Sequence, residues 1–451
     1  MQVRSPRRSA PRLVLAGMLL GALSAGTPPA AAENPSPAAS TDDLASSPAL
    51  PPKQAWTVPV AVMPQAPPPV GLPRLAEQVS CPRLQQQISA VVAGEASLWS
   101  ISVADAQGRL LADLNGLRPR VPASNQKLVS TAFALDRLGP DYRLRTRLWR
   151  LSDNTLRLTG EGDPDLALPQ LQRFARLALA SADANGAAPP LVRLELAEEP
   201  RQAWWPTGWN PDDRYYAYGA PITRLAVTSN AIHDAVLNPP SRLQALLQKS
   251  LGQQGAKAQL DLVSAQTPLP TGAVLLHEEP STSMHGLLSL ANNDSHNFTA
   301  EVLMRQAAES WNLTEAQQRT WQWLVEQGLP LQGVRIADGS GLDRSNRLTS
   351  RLLSALLLRM DQHPYGRTYL ASMAIAGQRG TLRTLYAGGP LQGRFYGKTG
   401  TLRGVRSISG VLLTNDGPRY VSAISNGGGS PNTTIGQVLR QVQNTSLCPS
   451  L

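Results

Sequence analysis

From Ser124 to Leu138 the chain is apolar on almost every side once Lys127 is passed, and Gly139-Pro140 ends the run. A helix of that composition is stable only when other elements cover it all round. Glycine followed by proline is a strong stop, because proline has no N–H with which to continue the ladder. The spacing therefore predicts a buried helix over Ser124–Leu138. Strands are expected before it, at Leu98–Ala104 and Leu110–Leu114, with Gln107-Gly108 as the turn. Two more follow, at Leu144–Arg150 and Thr155–Leu158, around Ser152-Asp153-Asn154. Helical periodicity returns at Ser241–Leu251, His285–Ala291, Asn297–Glu309 and Thr314–Gln327. Arg394–Lys398, Val405–Thr414 and Tyr420–Asn426 read as strands, and Asp416-Gly417 is a hairpin signal between the last two.

The 451 residues are enough for two domains, or for one domain with a large insertion. The first segment has the pattern of a secretory signal peptide. Arg4 to Arg12 are basic, Leu13 to Ala25 are apolar, and Ala30-Ala31-Ala32 offers a cleavage site. The expected divisions are a signal peptide over 1–32 and a linker over 33–74, rich in Pro, Ala and Ser. A catalytic domain is expected over 75–159 and 281–451, with an inserted domain over 160–280. The insertion is expected from a change of texture: Trp204, Trp205, Trp209 and the Tyr215-Tyr216-x-Tyr218 cluster stand among proline-rich joints. The formal net charge is +10, with four of the arginines in the first segment. A mildly basic body suits an anionic polymer, a membrane surface or nucleic acid and does not choose among them. The two cysteines, Cys81 and Cys448, lie near the ends of the expected folded region. Export permits a bridge that staples the domain termini, and two free thiols are the alternative. No Cys/His cluster has metal-ligand spacing, so no metal or cofactor is expected.

Three short motifs stand in order: Ser124-Asn125-Gln126-Lys127, Ser295-His296-Asn297 and Lys398-Thr399-Gly400. Ser and Lys three apart on a helix share a face. A serine hydroxyl is a weak nucleophile until a base takes its proton. A lysine in an apolar site near other cations has a lowered pKa and can be that base. A hydroxyl at Ser295 can relay a proton to a leaving amine, and the Asn297 amide can hold a substrate carbonyl. Lys398, Thr399 and Thr401 suit a terminal carboxylate. Gly400 keeps the wall of the site low for close approach. The N–H groups of Ser124 and Thr401 are candidate oxyanion donors. Ser-x-Asn recurs at Ser152, Ser310 and Ser430, but only the Ser295 copy has the right place in the order. Ser340, in Gly-Ser-Gly, reads as a loop residue because Gly-x-Ser-x-Gly spacing fails.

Together the motifs resemble those of the D-alanyl-D-alanine carboxypeptidase/endopeptidase family, the low-molecular-mass class C penicillin-binding proteins. Gly162-Asp163-Pro164, Tyr218-Gly219-Ala220-Pro221, Asp338-Gly339-Ser340-Gly341-Leu342, Gly380-Thr381-Leu382 and Lys398-Thr399-Gly400-Thr401-Leu402 extend the likeness. The resemblance implies an α+β, β-lactamase/transpeptidase-like domain: an antiparallel sheet flanked by helices, with a domain inserted between the first two motifs. It implies hydrolysis of D-Ala–D-Ala or D-Ala–diaminopimelate bonds through an acyl-enzyme on Ser124. Peptidoglycan stem peptides are the implied partners, β-lactams the covalent inhibitors, and the envelope or periplasm the location. Nucleic acid is not an implied partner, and peripheral membrane contact stays open. By position, Asp213, Tyr218 and Arg344 are implied to line a subsite for the third stem-peptide residue. Asn293, Arg379 and Arg403 depart from the family pattern. Two alternatives remain: a β-lactamase or esterase with the same triplet, or an inactive peptidoglycan-binding protein.

Overall fold

The computed structural model describes residues 74–151, 155–182 and 190–445. The expected leader falls outside the described residues, as do all but Arg74 of the expected linker, the 152–154 turn and Cys448. Cys81 precedes the first helix and is fully buried. In chain order the elements begin with α1 (Pro82–Val91), β1 (Trp99–Asp105), β2 (Leu110–Leu114), α2 (Gln126–Leu138), β3 (Arg145–Arg150) and β4 (Leu156–Gly160). Next come α3 (Leu168–Ala182), β5 (Leu191–Glu198), α4 (Pro239–Gly252), β6 (Lys257–Ser264) and β7 (Val274–Pro280). Then follow α5 (Met284–Asn292), α6 (Asn297–Ala307), α7 (Leu313–Glu326), α8 (Ser350–Asp361) and α9 (Gly366–Ala371). The chain closes with β8 (Ala374–Ile375), β9 (Phe395–Leu402), β10 (Val405–Thr414), β11 (Gly417–Asn426) and α10 (Pro431–Asn444).

Two sheets form. The first is antiparallel throughout, in the order β2-β1-β11-β10-β9-β8. β1 is buried at every position, as a strand covered on both faces must be. On one side α1 and α10 pack against Ile101, Val103, Phe395, Ile408 and Val421. On the other, α8 covers the sheet and joins α2, α5, α6 and α7 in a second core around Leu128, Phe133, Val302, Leu353 and Leu357. α2 is the central helix of this layer, buried from Gln126 through Leu135. This is an α+β architecture of antiparallel sheet and flanking helices.

The second sheet runs β6-β5-β4-β3-β7 and spans Arg145 to Pro280. Its β4–β5 and β5–β6 pairs are parallel, and its β3–β4 and β3–β7 pairs antiparallel. α3 and α4 cover it through Leu171, Phe174, Leu243 and Leu247. The Leu144–Arg150 and Thr155–Leu158 strands, placed with the first domain by the sequence reading, thus pair in this sheet. Their alternating side chains look the same in either setting, and only the partner strand tells the two apart.

Candidate active site

The helix expected from Ser124 starts later. A single 3₁₀ turn, Ala123–Asn125, carries Ser124, and α2 follows without a break. The turn is tight because Ala123 sits at φ +48°, a left-handed conformation costly for a residue with a Cβ. Surrounding contacts hold it there. Ser407 on β10 accepts a hydrogen bond from the Asn125 amide and donates to the Pro122 carbonyl at 2.6 Å. Gly341, at φ +83°, lies so close that any Cβ would collide with the Ala123 carbonyl. Gly400 is equally constrained, since a Cβ there would meet Ser407 and the Pro122 carbonyl. Glycine in the third motif is therefore required by the backbone of the first.

Ser124 opens into a cleft of about 980 Å³, shared with Ser295, Asn297, Tyr218, Arg344 and Thr401. Lys127 lies beneath it, fully buried. Its ammonium donates to Ser124 Oγ at 3.0 Å, to Asn297 Oδ1 at 2.6 Å and to the Ser340 carbonyl at 2.7 Å. Burial lowers its pKa to about 7, against the opposing pull of the Asp338 and Glu301 carboxylates. Of the two causes expected from the sequence, an apolar site and nearby cations, the apolar site is the one at work. Lys398 is buried as well, donating to Ser295 Oγ and to the Thr399 carbonyl, both at 2.9 Å. Burial, with Lys127 second, holds its pKa well below the usual lysine value. His296 is kept neutral near physiological pH, its pKa lowered to about 4 by burial and then by Lys127. It bonds Thr299 through Nδ1.

Ser295 adopts φ +65° just before α6, which turns its hydroxyl toward Lys398 while Asn297 opens the helix. Asn297 spends its amide oxygen on Lys127 and one amide hydrogen on the Tyr218 carbonyl at 2.8 Å. One amide hydrogen remains for a substrate. Tyr218 donates to Asp213 at 2.8 Å and stacks on Tyr216, and Arg344 donates to the Arg403 carbonyl at 3.0 Å. Asp213, Tyr218 and Arg344 all line the cleft with Ser124. Arg379 does not: its guanidinium donates back to the Met373 and Ala371 carbonyls.

Sequence reasoning missed the support beneath the lysine. Glu301 accepts from the Gly339 and Ser340 N–H groups, both at 2.8 Å, which fixes the Ser340 carbonyl on Lys127. Glu301 is itself paired to buried Arg305 at 2.7 Å. Asp338 accepts from Gly341, Asp343, Asn346 and Trp209. An acid and a base four apart on a helix mark an ion pair in sequence, but not its burial. Glu301→Gln leaves the Arg305 charge buried and unpaired. Denaturant titration is expected to show a loss of about 3–5 kcal/mol.

The model for the family described as D-Ala-D-Ala carboxypeptidase 3 (S13) matches residues 84–238 and 229–443. The chain belongs to this family. It is a serine-type D-Ala-D-Ala carboxypeptidase. A carboxypeptidase of Mycobacterium tuberculosis is 30% identical over 377 residues, covering 76% of this chain and 79% of that one. A D-alanyl-D-alanine carboxypeptidase of an Actinomadura species is 25% identical over 75% of this chain and 79% of its own length. Penicillin binding protein 4 of Haemophilus influenzae has the same fold, with a TM-score of 0.68 and 20% identity over 79% of this chain and 98% of that one.

Proposed function

We propose that Ser124 is the nucleophile of this D-Ala-D-Ala carboxypeptidase and Lys127 its base. The observation that carries the assignment is the contact of Ser124 Oγ with a buried lysine that titrates near neutral pH. Lys127 in its neutral form takes the hydroxyl proton as Ser124 attacks the penultimate D-alanine carbonyl. The N–H groups of Ser124 and Thr401 receive the oxyanion. The proton that Lys127 took passes through the Ser295 hydroxyl, itself hydrogen-bonded to Lys398, to the departing amine, which leaves Lys127 neutral again. Water then hydrolyses the acyl-enzyme, with Lys127 again the base. Asn297 positions the substrate backbone, and Lys398, Thr399, Gly400 and Thr401 form the wall beside the terminal carboxylate. Asp213, Tyr218 and Arg344 suit a third stem residue whose side chain ends in both an ammonium and a carboxylate. The substrates are peptidoglycan stem peptides, with β-lactams as acylating inhibitors. Endopeptidase action on D-Ala–diaminopimelate cross-links accompanies carboxypeptidase action.

Export to the periplasm or cell envelope follows from the Arg4–Ala32 leader pattern. Among the described residues no helix is long and apolar enough to cross a membrane. An inserted domain is proposed to comprise the second sheet with α3 and α4, and a Cys81–Cys448 bridge to tie the two ends of the catalytic domain. Mass spectrometry of monomeric and cross-linked muropeptides after incubation with the purified protein tests the reading. The expected result is loss of one D-alanine from pentapeptides together with conversion of dimers to monomers. Intact pentapeptide at the end of the incubation contradicts it.

A further inference from the structure

The carboxylate wall of the site contains a cation that the motifs do not name. Lys398 lies beneath the sheet surface and spends its ammonium on Ser295 and on a backbone carbonyl. Its low proton affinity makes it a weak anchor for a substrate anion. On β9, side chains alternate between faces, so Lys398 and Gly400 point inward while Thr399 and Thr401 point out. Across the ladder, Arg406 of β10 stands opposite Thr401 and therefore shares its outward face. There a second cavity of about 330 Å³ adjoins the cleft. It is lined by Thr381, Tyr386, Thr399, Thr401, Arg406 and Asn432 among others. Thr401 lines both spaces.

This cavity is built for an anion. No acidic residue lines it. Among the described residues, no hydrogen bond or ion pair holds the half-buried Arg406 guanidinium. Thr399 and Thr381 are hydrogen-bonded through their hydroxyls at 2.9 Å, leaving the Thr381 hydroxyl hydrogen free to donate. Asn432 lies in the first turn of α10, where the Thr433 and Thr434 N–H groups are taken by the Ser430 carbonyl, so the helix contributes only the positive end of its dipole to the same field.

We infer that Arg406 binds the free carboxylate of the leaving-group residue, the one next to the scissile amide nitrogen. The inference rests on the acyl-transfer reading above and adds its leaving-group subsite. A C-terminal D-alanine carries such a carboxylate, and so does a residue cross-linked through an amine beside its own carboxyl group. A planar guanidinium grips a carboxylate with two parallel N–H donors, so the effect depends on charge and on fork geometry together. The cavity is larger than D-alanine needs, which fits both kinds of leaving group.

The test compares a stem pentapeptide ending in D-alanine with the same peptide ending in D-alaninamide, on wild type, Arg406→Gln and Arg406→Lys. Wild type is expected to prefer the acid. In Arg406→Gln that preference in kcat/KM should fall by about 10–100-fold, most of it through KM, with Arg406→Lys in between. A parallel assay on a cross-linked dimer tells the sources apart: a matching fall means both carboxylates are read, and a fall on the pentapeptide alone means only the C-terminal one is. An acid-to-amide preference unchanged in Arg406→Gln overturns the inference. So does a loss of equal size on both peptides, which marks a structural role. A third arm needs no variant: free D-alanine should inhibit the wild type better than D-alaninamide, and equal inhibition counts against Arg406. Wild type inactive on both peptides strikes the acyl-transfer reading instead.

Discussion

Ser124→Ala is expected to lower D-alanine release by about 10⁴-fold or more and to abolish labelling by a fluorescent penicillin. The substitution removes one oxygen whose hydrogen bond is to Lys127 at 3.0 Å. The turn that carries residue 124 is held by its neighbours, through Ala123, Asn125 and Ser407. The fold and the cleft should therefore survive, and thermal melting should stay within a few degrees of wild type. Activity is lost because the covalent route has no second nucleophile within reach of the same base. Ser295 bonds Lys398, and Ser340 has its hydroxyl on Asp338 at 3.2 Å, beneath the surface. Retained penicillin labelling in a well-folded Ser124→Ala protein would remove the basis of the assignment.

Lys127→Arg is expected to cost about 10²–10⁴-fold in acylation while keeping positive charge in place. Arginine does not give up its proton at any accessible pH, so it cannot act as the base. The wild-type profile follows from the same argument. With a pKa lowered to about 7, Lys127 is mostly protonated at pH 6 and mostly neutral at pH 8. Acylation should rise with pH through about 7 and then level off. Removing a carboxylate that favours the charged lysine shifts that rise to lower pH, so Glu301→Gln, where it folds, should move it toward acid. A rate that falls between pH 6 and pH 8 contradicts the role of Lys127. The linkage to stability has the same sign. The unfolded lysine keeps its proton up to its ordinary value near 10.5, while the folded one loses it near 7. Between those limits the unfolded chain binds more protons, so this residue's contribution favours folding increasingly as pH rises.

Much of the first sheet and its helices was legible in the sequence, because local periodicity and stop signals decide such elements. β2 has the bounds expected from the sequence, Leu110–Leu114, and α2 stops at Gly139, which adopts φ +79°. The antiparallel pairing of β3 with β4 was legible as a hairpin, but the sheet they join was not, since a half-buried strand carries no mark of its other partners. Of the site, the residues that meet across long separations were visible as short motifs: Lys127 hydrogen-bonds Ser124 and Asn297, Lys398 hydrogen-bonds Ser295, and Ser124, Ser295 and Asn297 line one cleft. Glu301 and Asp338 were not visible as support for Lys127. They act through backbone N–H groups and burial, and neither leaves a pattern in residue types. Arg406 was hidden for a related reason. Its meaning depends on which face of β10 it occupies and on the absence of an acid around it.

Peptide mapping by mass spectrometry after a brief exposure to penicillin tests the central claim most directly. The account predicts a single penicilloyl adduct on the peptide carrying Ser124, formed faster at pH 8 than at pH 6. An adduct on Ser295, on Ser340 or on any other residue, with Ser124 unmodified, would contradict it.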